Sequence, residues 1–156
     1  MSLGGGGGGG AMQELQQQME ALDQEIEAIE GEIQDLQDEQ SAMDEAIEAI
    51  DTLESGSTVQ VPLGGGAYVR AEIQDIDEVI VSLGGGYAAE QEQDTAIDTL
   101  ETKQEQIDDE IDELRDEIDE VEAESEQLEQ QAQQMQQQQM QQMQQQMQQQ
   151  QGDDDE

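Results

Sequence analysis

Val59-Gln60-Val61-Pro62-Leu63-Gly64-Gly65-Gly66 is echoed by Val79-Ile80-Val81-Ser82-Leu83-Gly84-Gly85-Gly86, and the reading of these two segments decides the fold. Apolar side chains alternate with others at Val59, Val61 and Leu63, at Val69, Ala71 and Ile73, and at Val79, Val81 and Leu83. A period of two places those residues on one face of a half-buried strand. Each run ends in three glycines, which reach positive φ without steric cost and so suit a tight reversal. The spacing predicts two consecutive β-hairpins over residues 58–90.

Outward from the hairpins the period changes to alternating steps of three and four. Before them run Met12, Leu15, Met19, Leu22, Ile26, Ile29, Ile33, Leu36, Gln40, Met43, Ile47 and Ile50. After them run Ile97, Leu100, Gln104, Ile107, Ile111, Leu114, Ile118, Val121, Ser125, Leu128, Ala132 and Met135. Both are coiled-coil seams, predicting helices over 12–54 and 91–135. Ser55-Gly56-Ser57 ends the first, with Gly56 placed to relieve a helix C-terminus. If the helices fold back on each other, the numbers of facing residues must have a constant sum. Ile50 with Ile97, Met43 with Gln104, Gln40 with Ile107, Leu36 with Ile111, Ile26 with Val121 and Met12 with Met135 all meet that condition. The centre of symmetry falls between Ile73 and Gln74, in the middle of the hairpin pair. At about 1.5 Å per residue each arm would be on the order of 60 Å long.

Gln40 and Gln104 interrupt the seams in neighbouring layers. One reading has them hydrogen-bonded to each other, fixing register at some cost in stability; the other has each side chain reaching out to water. The positions flanking the seams are mostly acidic on both helices, Lys103 and Arg115 excepted. Like charges there oppose pairing. The Debye length shrinks from about 10 Å at 0.1 M salt to about 3 Å at 1 M, so a salt-rich cytoplasm is the expected setting.

Composition removes several function classes. The chain has 156 residues, 42 Asp and Glu against 3 Lys and Arg, and a formal charge of −39, which opposes nucleic acid and anionic membrane as partners. Phe and Trp are absent, so a compact globular core is not expected. Without cysteine or histidine there are no thiolate sites and no His-assisted nucleophiles, and no metal site or cofactor is expected. No apolar run approaches the roughly 20 residues of a membrane span, and the start of the chain lacks the basic and apolar regions of a signal sequence. A soluble cytoplasmic protein is the expectation.

The ends are of biased composition. Residues 1–11 carry seven consecutive glycines and read as a disordered lead-in; no strand, helix start or Lys-Ser/Thr pair makes them a phosphate loop. Residues 136–156 are glutamine with Met140, Met143 and Met147, out of phase with the seam, then an acidic end, and read as a frayed or disordered tail. Methionine gathers at the arm tips and beyond: Met12, Met19, Met135, Met140, Met143 and Met147. A flexible, polarisable surface of this kind repacks around dissimilar apolar partners, so these residues with Leu15 and Leu128 are candidate client contacts. The competing reading makes Met12, Met19 and Met135 seam residues and the rest tail composition.

An isolated hairpin is marginal in water and its edges invite pairing with another chain. Closing the strands into a sheet or barrel shared between subunits would bury Val59, Val61, Leu63, Val69, Ile73, Val79, Val81 and Leu83. The alternative is a small self-contained four-stranded sheet. The expected fold class is thus mainly α with a small β part: an antiparallel two-helix coiled coil joined by two consecutive hairpins that assemble into an intersubunit platform.

Helix, double hairpin and helix, with Val61-Pro62-Leu63-Gly64, Ala67-Tyr68-Val69, Val79-Ile80-Val81, Leu83-Gly84-Gly85-Gly86-Tyr87 and Glu90, resembles the alpha type of the archaeal prefoldin family. The match spans about Met12 to Met135, and the acidic composition resembles proteins of salt-accumulating archaea. The resemblance implies a holdase that needs no ATP, built of two alpha and four beta subunits. Its hairpins would form a double β-barrel platform, and its coiled-coil tips would hold non-native proteins and deliver them to a group II chaperonin. The beta type carries one hairpin instead of two. Pure glycine turns, the glycine lead-in and the Gln-Met tail depart from the family pattern. A passive coiled-coil scaffold or spacer is the competing class, though it needs no paired hairpins. An acidic cation buffer lacks ordered loops, and an enzyme lacks carboxylates placed in a cleft.

Overall fold

The computed structural model describes residues 7–152. Helix α1 (Gly7–Thr52) is followed by strands β1 (Thr58–Gly64), β2 (Ala67–Glu72), β3 (Val79–Gly84) and β4 (Tyr87–Gln91), then by helix α2 (Gln93–Gly152). The chain forms two compact units, residues 1–32 with 113–156 and residues 33–112, and both helices contribute to each.

In the first unit every seam position is half-buried or buried, Ile29 and Val121 being buried, while nearly all other helical positions are exposed. Burying alternate three- and four-spaced positions is what pairs two helices, since neither seam is wide enough to form a core alone. Ser125 and Ala132 take seam positions with little side chain, and both are half-buried.

Beyond Met135 every side chain through Gly152 is exposed, yet α2 continues to that residue. The disorder expected over 136–156 is therefore corrected to an exposed helix as far as Gly152, while residues 153–156 lie outside the described part. Glutamine and methionine are good helix formers, and extending an existing helix avoids the cost of nucleation. At the other end α1 begins at Gly7, so residues 7–11 of the expected disordered lead-in are helical. Residues 1–6 are outside the described part. Glycine is a poor helix former, and nothing in the sequence explains that extension beyond propagation from Met12.

In the second unit Ile33, Met43, Ile107 and Ile111 are buried along the seams. The strands pair as two separate antiparallel hairpins, β1 with β2 and β3 with β4, not as a self-contained four-stranded sheet. Val59 faces Ala71 and Val61 faces Val69; in the second hairpin Val81 faces Ala89. Gly64 pairs with Ala67, leaving Gly65 and Gly66 as a two-residue turn at φ 60° and 83°. Gly85 and Gly86 repeat it at 61° and 81°. Positive φ at both central residues is the type I′ condition, whose twist matches the strands it joins. The first glycine of each run, Gly64 or Gly84, also has positive φ, at a bulge that leaves Leu63 and Leu83 without cross-strand partners.

The helices and hairpins are tied by a small set of polar contacts. The Gln93 amide at the start of α2 donates to the carbonyls of Ile50 (2.6 Å) and Leu53 (3.2 Å), satisfying acceptors that the end of α1 leaves open. Gly56 lies past that helix end, contrary to the placing expected from sequence. Its φ is 91° and its N–H donates to Ile73, extending the first hairpin. Asp75 and Asp77 shape the link between hairpins: an Asp75 carboxylate oxygen accepts from the Asp77 N–H, and the Asp77 carboxylate accepts from the Gln93 N–H.

Candidate assembly and binding surfaces

Three groups of residues carry the functional expectation: the hairpin faces, the polar layer in the seam, and the methionines. They fall differently in the structure.

On the first hairpin Val59, Ala71 and Ile73 are half-buried, while Val61, Val69 and Leu63 are exposed. The covered part of that face lies against the end of α1, where Glu45, Ala49, Thr52, Leu53 and Val59 line an open cleft. On the second hairpin the expectation needs a correction. Val81 is only 5% exposed and is covered within its own chain, so it is not a surface residue. The hairpin lies against the first turns of α2: Leu83 shares a cleft with Thr99, Thr102 and Lys103, and the Lys103 ammonium donates to the Ser82 carbonyl. Val79 is half-buried and Leu83 exposed.

With Val81 turned inward, its neighbour Ile80 is turned out and is 74% exposed, joined by exposed Tyr68 and Tyr87. Sequence reasoning overlooked these three as surface. A signal was present: three apolar residues in a row, Val79-Ile80-Val81, break strict alternation, as happens where both faces of a strand are covered. The second hairpin thus has Val81 covered by its own chain, with Ile80 and Ala88 exposed on the opposite face. Among the described residues each strand has a single neighbour, so both hairpins keep unpaired outer edges.

Gln40 and Gln104 do meet, but not amide to amide. The Gln40 amide donates to the Gln104 backbone carbonyl at 3.1 Å and to the Asp108 carboxylate at 2.6 Å. The Gln104 amide returns the pattern, to the Gln40 carbonyl at 3.2 Å and the Asp44 carboxylate at 2.6 Å. Each glutamine reaches across to the opposite helix and is held by an aspartate one turn further along it. Four residues, Gln40, Asp44, Gln104 and Asp108, line the shallow cleft so formed. Gln40 and Gln104 are brought together as their spacing predicts; the aspartates that complete the layer carry no signal in the sequence.

The methionines and leucines expected at the tips divide in two. Met12, Leu15, Met19, Leu128 and Met135 are half-buried seam residues. Met140, Met143 and Met147 are exposed on the last turns of α2, beyond the seam. Among the described residues no cluster of acidic side chains has the arrangement of a metal site. No described helix is long and apolar enough to cross a membrane.

Comparison with known proteins agrees with this architecture. The family profile described as "Prefoldin subunit" matches residues 11–138. The chain is 74% identical over 62 residues to the prefoldin subunit alpha of Haloarcula marismortui, covering 40% of each protein. It is 34% identical over 95 residues to that of Methanosarcina mazei, covering 61% of this chain and 66% of the relative. The matched stretch thus spans well under half the length of the Haloarcula relative. A solved filamentous PFD from Methanocaldococcus jannaschii superposes with a TM-score of 0.51 at 29% identity, covering 76% of this chain and 94% of that one. Two seams folded against each other, two glycine-turned hairpins between their inner ends, and a profile match across most of the length place this chain in the prefoldin family.

Proposed function

We propose that this chain is an alpha-type subunit of an ATP-independent holdase that acts in the cytoplasm. Two copies join four beta subunits through their hairpins, which close into a shared double β-barrel platform. The free ends of the coiled coils hold non-native proteins and pass them to a group II chaperonin. No catalytic step is assigned to any residue.

The observation that carries this reading is the pair of separate hairpins with open edges and exposed Val61, Leu63, Val69, Ile80 and Leu83. A lone hairpin is marginal in water, so strands of this kind are built to be completed by others. The relatives described as prefoldin subunit alpha support the same reading.

Two measurements test it. The native mass of the chain in molar KCl should rise to a hexamer when a prefoldin beta subunit is added. The assembled complex should suppress aggregation of a chemically unfolded client without nucleotide. Ending the chain after Met135 should leave the hexamer intact and weaken suppression several-fold. A complex that forms but shows no suppression would remove the holdase reading. The filamentous neighbour supports a second one, in which hairpins join copies of this chain into an open scaffold. Growth to long polymers regardless of beta subunit, with no effect on clients, is its signature.

A further inference from the structure

Met140, Met143 and Met147 are spaced by three and four residues, so they form one stripe along the exposed end of α2. The seam, continued past Met135 at its own spacing, would fall one residue earlier each time. A shift of one residue turns the stripe by about 100° from the seam, away from the direction in which α1 pairs. Every glutamine around it is exposed as well. The chain contains no cysteine, so the eight methionines are its only sulfur atoms. They cover a wide range of access: Met43 is 8% exposed in the seam, Met12, Met19 and Met135 are half-buried, and Met140 is 70% exposed.

We propose that the Met140-Met143-Met147 stripe is an oxidation-sensitive modification site whose state sets the apolarity of the end of α2. The oxidant is a hydroperoxide. A thioether lone pair attacks one peroxide oxygen, a sulfur–oxygen bond forms and the oxygen–oxygen bond breaks. Sulfur loses two electrons, and the other oxygen leaves as water or alcohol, taking the proton that the transferred oxygen gives up. The product sulfoxide is polar where the thioether was apolar, and reductases of the methionine sulfoxide class reverse it. Three such changes at three- and four-residue spacing turn the stripe polar along its whole length. Helix formation and pairing are untouched, because no seam residue is altered. The bearing of this switch on clients rests on the holdase reading; the oxidation order and the loss of apolar binding do not.

The test is carried out on the full chain in molar KCl with graded hydrogen peroxide, quenched, digested and mapped by mass. Met140, Met143 and Met147 should convert first and Met43 last. Met140 should outpace Met43 by roughly ninefold, in proportion to exposures of 70% and 8%. Binding of the apolar dye ANS should fall several-fold in step with those three conversions, while far-UV circular dichroism stays constant. The variant M140L/M143L/M147L keeps the apolar stripe without oxidisable sulfur and should hold its dye binding through the same treatment. The variant M140Q/M143Q/M147Q should start at the oxidised level. Conversion of Met43 as fast as Met140, or a triple leucine variant as peroxide-sensitive as the parent, would overturn the proposal. If clients are not held at all while order and dye response follow expectation, the holdase reading fails and this one stands.

Discussion

Replacing Gln40 by alanine isolates what the polar layer contributes. The change removes a part-buried bond to the Gln104 carbonyl, worth about 0.5–1.5 kcal/mol. It also removes a short bond to Asp108, which sits in solvent, so the charge-assisted figure is discounted to about 0.5–1 kcal/mol. Alanine is the better helix former by a few tenths of a kcal/mol, and losing half-buried methylenes costs about as much again. Gln40→Ala should therefore destabilise by about 1–2.5 kcal/mol, lowering Tm by about 2–4 °C for each kcal/mol. Gln104→Ala should match it, because its bonds mirror those of Gln40.

The informative quantity is the coupling. Each amide bonds the other helix's backbone and an aspartate, never the other amide. The double variant Q40A/Q104A should thus lose the sum of the single losses to within about 0.5 kcal/mol, despite the residues' proximity. Gln40 with Asp108, and Gln104 with Asp44, should each show coupling of about 0.5–1 kcal/mol; the gain from removing one negative charge cancels in the cycle. Urea unfolding followed by far-UV circular dichroism in molar KCl gives all the terms. Strong coupling between the two glutamines with none to the aspartates would refute the geometry and restore direct amide pairing.

Three further outcomes follow from the same structure. Stability should rise from dilute buffer to molar KCl, because 42 acidic side chains stand against 3 basic ones and their repulsion falls off within about 3 Å at 1 M salt; a Tm that declines across the series sinks the argument. The same glycine-to-alanine change should have opposite signs in two places: Gly66→Ala, at φ 83°, should cost about 1–2 kcal/mol, whereas Gly31→Ala in exposed helix should gain about 0.5–1 kcal/mol, with thermal unfolding as the check. No neighbouring atom would meet the new methyl at either site, so the backbone alone decides. Gln93→Ala should speed amide exchange in the last turn of α1 and at the start of the first hairpin, since it deletes both bonds to the Ile50 and Leu53 carbonyls; protection unchanged there would contradict their role.

Periodicity carried most of the fold. All twenty-four seam positions named from spacing are less than fully exposed, and the hairpins occur where alternation and glycine runs placed them. A repeat of three and four can be read because burial on one helix face leaves the same trace every turn. What it leaves unread is what depends on a single contact in space. Parity puts Val81 on the assembly surface, but parity names a face and not what covers it; here α2 and its Lys103 lie against that hairpin. Asp44 and Asp108 read as two more acids in an acidic chain until the opposite glutamine is seen to reach them. Low complexity makes the glutamine-rich end read as disorder, whereas its helicity follows from residue propensity and from the helix it continues.

The bond from Gln93 back to the last carbonyls of α1 has one more implication. Gln93 is held twice where α1 stops and α2 starts: its side chain bonds the carbonyls of Ile50 and Leu53, and its N–H bonds Asp77 in the link between the hairpins. One residue thus locks the helix pair and the hairpin pair together. A graft in place of residues 55–91 has to supply a new acceptor for the Gln93 N–H and new cover where Val59 and Val81 now sit.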